Sequence, residues 1–209
     1  MVIAFGSWRP AAARPRPERP TSRGGSRSWR RLRRCAAGNV AVEFALSLPV
    51  ILLMMLGSAE MARFVILHQK MDRVATTISD LVSRAETITE SQIADIFTAA
   101  GQVAEPFDLP GLGVVIVSSV TNADGTGATI AWQRSGGGSY SGVSDLGVEG
   151  DTPNLPDGFE VREGETAIIA EVFYDFTPFL SELIVEPQLI HRSAHHRPRL
   201  GTLEEIDAG

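Results

Sequence analysis

The chain has 209 residues, 44% of them hydrophobic, which is enough for one modest domain with extensions. Its formal net charge of −6 is unevenly distributed, because residues 1–38 carry ten arginines and one acid while the rest of the chain is acidic. A basic head and an acidic body separated by an apolar run indicate two compartments instead of one nucleic-acid-binding surface, so we expect no nucleic-acid partner.

The basic head is the first predicted element. Residues 1–38 are rich in Arg, Pro, Ser and Gly and show no periodicity, which predicts a disordered leader. Basic residues beside an apolar segment favour the cytoplasmic side of a membrane. We therefore expect a single-pass protein with a cytoplasmic N-terminus and a C-terminal domain in the periplasm.

The second predicted element is a long helix over residues 39–84. Its first part is apolar: residues 44–59 carry no formal charge and span about 24 Å of helix, against roughly 30 Å of hydrocarbon. Pro49 lies inside this part and predicts a kink. The second part is amphipathic, with an apolar seam that packs either against its own domain or against other subunits: Phe64, Leu67, Met71, Val74, Ile78 and Leu81.

The elements that follow predict an extracytoplasmic α+β domain over residues 85–200. Thr89 and Gln92 have capping-box spacing, which predicts a second, short helix from about Glu90 to Ala104. A small antiparallel β-sheet comes next. Its predicted strands are residues 113–120 and 128–134, which form a hairpin, then 166–176 and 187–198, with an irregular loop over 135–165 and a polar tail over 201–209.

Glu43 lies just inside the leading edge of the apolar run, where a carboxylate is disfavoured in hydrocarbon. An ordinary signal peptide that ends at Ala59 leaves this residue unexplained, and so does a plain membrane anchor. Neither interpretation is therefore sufficient for the opening segment.

A prepilin-peptidase site accounts for Glu43. Basic residues precede Gly38, and cleavage after Gly38 would start the product at Asn39. Glu43 and Phe44 would then be its fifth and sixth residues. In a packed assembly Glu43 could pair with the new amine of a neighbouring subunit, which removes the cost of an unpaired charge in an apolar setting.

The segment GNVAVEFALSLPVILLMMLGSAEMARF resembles the TadE/TadG-like proteins of tight-adherence (Flp-type, type IVb) pilus assembly. That family has a glycine, an A-V-E-F-A-L-like block, a proline inside the apolar run, and a second glutamate followed by arginine. These features match Gly38, Glu43, Phe44, Pro49, Glu60 and Arg63. Asn39 departs from the small or apolar residue that is more usual at its position, whereas the ending EVFYDFTPFL with HRPR is also similar to the family.

The resemblance implies a TadE-like pseudopilin, or minor pilin, that a prepilin peptidase processes and that takes part in assembly or initiation of Flp pili. The implied partners are that peptidase, other Tad pseudopilins, the assembly platform of the bacterial inner membrane and the major Flp pilin. The protein would be a substrate and a structural part, not an enzyme. The alternative is a membrane-anchored periplasmic ligand-binding or sensor domain.

Glu60 and Arg63 are three residues apart on one helix and are predicted to pair. The pair marks the outer membrane boundary or contacts a partner subunit. Residues 171–180, EVFYDFTPFL, predict a core strand followed by a short turn, or else a sheet edge open to another chain.

The sequence predicts no catalytic residue, no cofactor and no metal site. Glycine-rich stretches lack the phosphate-binding frames, and no nucleophile motif occurs. Three histidines near the C-terminus are interpreted as part of a solvated basic tail, since a strand or loop does not give metal-binding geometry and no acid accompanies them: His191, His195 and His196.

Overall fold

The computed structural model of the protein describes residues 36–156, 158–179 and 185–207. The predicted disordered leader therefore lies outside the described residues, apart from its last three positions, which are helical. The chain divides between Ile51 and Leu52 into two units.

The first helix, α1, is Ala36–Ser83 and has 48 residues, which confirms the predicted long helix. It is helical through Pro49, and the predicted kink stays a prediction. From Val40 onward it is long and apolar enough to cross a membrane. Its large apolar side chains are exposed over the first half: Val40, Val42, Phe44, Leu46, Leu48, Val50, Ile51, Leu52, Leu53, Met54, Met55 and Leu56.

The second helix, α2, is Glu90–Ala104 and begins at the predicted capping box. The Thr89 hydroxyl oxygen accepts from the backbone N–H of Gln92 at 3.3 Å, and the Gln92 side-chain oxygen accepts from the backbone N–H of Thr89 at 2.9 Å. These bonds satisfy two N–H groups that the first turn of a helix leaves open. A single turn, α3 at Leu109–Leu112, then leads into the sheet.

The four strands are β1 Gly113–Thr121, β2 Thr129–Gly136, β3 Thr166–Phe176 and β4 Gln188–His196. They form one antiparallel sheet in the order β2-β1-β3-β4. The α+β class and the β1–β2 hairpin are thus confirmed. Since β3 pairs with β1 on one side and β4 on the other, the alternative that made this strand a sheet edge open to a partner is wrong.

The amphipathic part of α1 packs with α2 against one face of the sheet. The seam therefore serves the chain's own domain, and four of its members are fully buried: Leu67, Met71, Val74 and Ile78. Leu81, however, is 40% exposed, and Val82 is buried in its place. The predicted spacing repeats every 3.5 residues while an α-helix turns every 3.6, so the pattern drifts about 20° per heptad away from the packed face.

The opposite face of the sheet is covered by the irregular segment between β2 and β3, residues 137–165. Leu146 and Val161 of this segment pack on Ile130 and Ile169 of the sheet. The sheet consequently has two apolar faces, which explains why β3 is buried along nearly its whole length.

Residues 201–207, predicted as the start of a polar tail, pack on the domain. Leu203 is buried, and its carbonyl oxygen accepts hydrogen bonds from the Ser119 hydroxyl and the Trp132 indole N–H, both at 2.8 Å. The backbone N–H of Asp207 donates to the carbonyl of Ile88 at 2.8 Å. The folded part of the chain therefore extends beyond the predicted boundary at residue 200.

Candidate functional site

The first candidate site is the start of α1. Gly38 and Asn39, the predicted cleavage site, lie in its first turn. A glycine in a helix costs roughly 1 kcal/mol relative to alanine, so this turn is a weak point that a protease can unwind. Cleavage after Gly38 would require this turn to open, because a protease binds its substrate in an extended form.

Glu43 and Phe44 follow one turn later, and both side chains are exposed. Four residues separate Asn39 from Glu43, which places the two backbone positions about 6 Å apart along the helix axis. An amine created at Asn39 would therefore lie on the same side of α1 as the Glu43 carboxylate. The structure brings these predicted residues onto one helix; cleavage itself stays a prediction.

The second candidate site is the predicted pair of Glu60 and Arg63. Nη1 of Arg63 lies 3.6 Å from Oε1 of Glu60, which confirms the ion pair. The two atoms are too far apart for a hydrogen bond, and the side chain of Glu60 is only 2% exposed. The burial of Glu60 follows from its position, since it lies 18 residues, or five full turns of α1, before the buried Ile78.

Glu60 also holds the segment that follows β3. Its Oε1 accepts the backbone N–H of Phe179 at 3.1 Å. The Arg63 guanidinium lies 5.6 Å from the centre of the Phe176 ring, within cation–π range. A buried carboxylate without such partners would be strongly unfavourable, so these contacts stabilise the junction of α1 and β3.

The third candidate site is a charged cluster on the loop-covered face of the sheet. Nδ1 of His191 lies 2.9 Å from Oδ2 of Asp145, and Nε2 lies 3.2 Å from Oε1 of Glu171, off the line of an ideal hydrogen bond. Glu171 is 1% exposed and also accepts from the Ser144 hydroxyl and from the backbone N–H of Asp145. The imidazole stacks on Phe173 with ring centres 4.4 Å apart.

The interpretation of His191, His195 and His196 as part of a solvated tail is therefore wrong, because all three lie on β4 and two acids contact His191. Interaction with the carboxylate of Glu171 raises the pKa of His191, the charge of Asp145 acts in the same direction, and burial opposes both. No local pattern of residues indicates this cluster, because its members come from residue 145 of the loop, from β3 and from β4.

The same three side chains offer one metal-ligand atom each, all within 4.8 Å of one another. Each ring nitrogen of His191 nevertheless faces a carboxylate of its own. That arrangement suits a protonated imidazole, which carries a positive charge between the two carboxylates, better than a metal, which would bind only one ring nitrogen. We therefore assign the cluster to holding residues 144–145 against β3 and β4.

A cavity of about 210 Å³ lies beside this cluster and is lined by Leu146, Asn154, Glu171, His191 and His195, among others. Ligand pockets of small-molecule binding proteins have volumes of roughly 300–1,000 Å³. This cavity is therefore smaller than a typical small-molecule pocket.

Residues 38–79 match the family model described as TadE-like protein. This match confirms the resemblance over the segment that contains Gly38, Glu43, Glu60 and Arg63. The matched residues do not include the β-sheet. No curated protein matches the chain significantly, and neither does any solved structure.

Proposed function

We propose that this chain, TadE-like over residues 38–79, is a membrane-anchored pseudopilin that takes part in assembly or initiation of a tight-adherence pilus. The observation that carries the proposal is the start of α1. From Val40 to Leu56, α1 exposes apolar side chains on every side, and this part bears a single carboxylate, Glu43, near its start. Such a helix needs lipid or other helices around it.

The topology follows from charge. Ten arginines precede the apolar run, which favours insertion with the N-terminus in the cytoplasm and the folded domain in the periplasm of a bacterial inner membrane. The paired state of Glu60 and Arg63 suits the periplasmic end of the span, since charges close to hydrocarbon are stabilised by pairing.

Processing by the prepilin peptidase is the second part of the proposal. Cleavage after Gly38 removes the basic leader and creates an amine at Asn39. That amine would pair with the carboxylate of a neighbouring pseudopilin. The other partners of the protein would be the assembly platform and the major pilin. In this role the protein is a substrate and a structural component, not an enzyme.

The experiment is intact-mass analysis of the protein from its native membrane, with and without the host's prepilin peptidase. We expect a mature chain that begins at Asn39 and an uncut chain when the peptidase is absent. Gly38→Val should block cleavage because a branched side chain before the cut bond would clash with the cleft of the protease. Ala37→Val is the matched control and should still be cut. An intact leader in the peptidase-positive host would refute processing, and a start at Glu60 would indicate an ordinary secreted domain.

A further inference from the structure

The end of the folded domain that adjoins the apolar run carries an exposed aromatic ring. Phe179 is 83% exposed, although its backbone N–H is fixed to the buried carboxylate of Glu60 at 3.1 Å. The neighbouring Phe176, three residues earlier, is buried against Phe64 with ring centres 5.3 Å apart. The chain thus buries one phenylalanine at this end and turns the next one outward.

The outward face of α1 stays apolar past Glu60. Three large apolar side chains remain about half exposed beyond it: Met61, Val65 and Ile66. On the inward face, by contrast, burial is complete from Leu67 on. Over this stretch α1 therefore carries the core of the domain on one side and a water-exposed apolar strip on the other. Val65 and Ile66 lie a further turn from the apolar run than Met61, so we call only Phe179 and Met61 the base.

The position of the base along α1 decides what can cover it. Leu56, the last of the continuous exposed apolar run, precedes Glu60 by four residues, or about 6 Å of helix. The polar zone of a bilayer is roughly 5–8 Å deep on each side of the hydrocarbon. If the apolar run spans the membrane, the backbone of Phe179 consequently lies within that zone.

We propose that the base is a lipid-contacting surface, with Phe179 inserted at the boundary between head groups and acyl chains. This inference rests on the membrane anchoring proposed above. Aromatic and large aliphatic side chains on an otherwise charged surface are typical of groups that insert at this depth. The Glu60 carboxylate is paired and shielded from lipid, so the domain can approach the bilayer without exposing an isolated charge to it.

Glu60 has a definite role in this arrangement. By holding the backbone of Phe179 and pairing with Arg63, it fixes the sheet to α1 immediately outside the membrane. β3 runs from Thr166, beside the β1–β2 hairpin, to Phe176, three residues before Phe179, over a length of about 33 Å, so the hairpin is at the end of the strand away from the base.

The test uses single-cysteine variants of the full chain in a Cys35→Ser background, each labelled with an environment-sensitive fluorophore and reconstituted into phosphatidylethanolamine–phosphatidylglycerol vesicles. Phe179→Cys reports on the base, and Met61→Cys is a second reporter there. Ala123→Cys, exposed in the β1–β2 hairpin, is the matched control far from the base. Leu53→Cys reports on the anchor itself.

We expect quenchers attached to lipid acyl chains to quench the probes at 179 and 61 several-fold more than the probe at 123, with the probe at 53 quenched most. A probe at 179 that responds only to aqueous iodide, while that at 53 responds to lipid, would refute the base and leave the anchor intact. A probe at 53 without lipid quenching would refute both. If the probe at 179 is shielded from both quenchers, and the shielding increases with the ratio of protein to lipid, a neighbouring subunit covers the base and the inference is overturned.

Discussion

The carboxylate of Glu60 accepts the backbone N–H of Phe179 at 3.1 Å, across 119 residues of sequence. The same oxygen lies 3.6 Å from the guanidinium of Arg63. One buried acid thus joins the helix that leaves the apolar run to the segment that ends the central strand. This contact ties the family-like part of the chain to the sheet, which the family match does not reach.

Replacement of Glu60 by alanine should lower the free energy of unfolding by about 1–3 kcal/mol, because the part-buried N–H of Phe179 loses a charged acceptor. Glu60→Gln should cost less, since its side-chain oxygen can still accept from Phe179. The measurement is the urea midpoint of the full chain in detergent, followed by the fluorescence of the buried Trp132.

Glu105→Ala, at an exposed acid beyond the end of α2, is the matched control and should leave the midpoint nearly unchanged. Equal effects of Glu60→Ala and Glu105→Ala would show that Glu60 does not hold the junction.

The drift of the seam gives a second prediction. Met71→Ala removes a fully buried side chain and should cost about 2–5 kcal/mol. Leu81→Ala should cost well under half as much, because this leucine is 40% exposed at the margin of the packed face. Similar losses from the two variants in urea unfolding would contradict the register of α1 against the sheet.

The stability of the fold should depend on pH through the protonation of His191. Its folded-state pKa is raised above the ordinary value near 6.5, so protonation stabilises the fold. The contribution is fully present below about pH 6.5 and is lost as the pH rises through the folded-state pKa. The charged groups that face the ring are Asp145 and Glu171, which favour the protonated form, and the charge of the adjacent Arg192 opposes it.

The measurement is hydrogen exchange of the backbone around residues 144–147 as the pH is raised from 6 to 8.5, corrected for the intrinsic exchange rate. Protection should fall in the wild type, whereas His191→Gln should be less protected at pH 6 and nearly independent of pH. His68→Gln, at a histidine whose Nδ1 lies 2.9 Å from the carbonyl of Phe64, is the matched control and should behave as the wild type. A wild-type profile without pH dependence would argue against the protonated cluster.

Local patterns predicted most of the fold, because the helices and strands here are specified by nearby residues. The capping box at Thr89 fixed the start of α2, and the turn-rich link after Thr121 indicated the hairpin. The burial of Glu60 and the surroundings of His191 depend instead on contacts from distant segments. No periodicity within a window of the sequence encodes where residue 145 or residue 179 will pack.

The candidate site divides in the same way. Gly38 and Glu43 could be selected from the sequence because their spacing along one helix is local. Phe179 could not, since an exposed aromatic residue becomes a candidate only through its contact with Glu60, which comes from a distant segment. Leu81 shows a third case, in which the apolar spacing of 3.5 residues departs from the 3.6 residues of a helical turn, so the last member of the pattern lies at the margin of the packed face.

The last prediction concerns the carboxylate at the start of the apolar run. Glu43→Val should leave membrane insertion intact, because it makes the run more apolar, yet it should strongly reduce piliation, because the carboxylate that would pair with a neighbour's new amine is lost.

Ser47→Val, one turn later on the same side of α1, is the matched control: Ser47 is exposed, and its hydroxyl bonds only within the helix, to the carbonyl of Phe44 at 3.1 Å. Insertion is measured by carbonate extraction and piliation by counting pili on cells that express each variant in place of the wild type. Normal piliation with Glu43→Val would show that the carboxylate is dispensable for assembly, whereas loss of piliation with both variants would mean that the apolar run tolerates no change on this side and that charge pairing is not the cause.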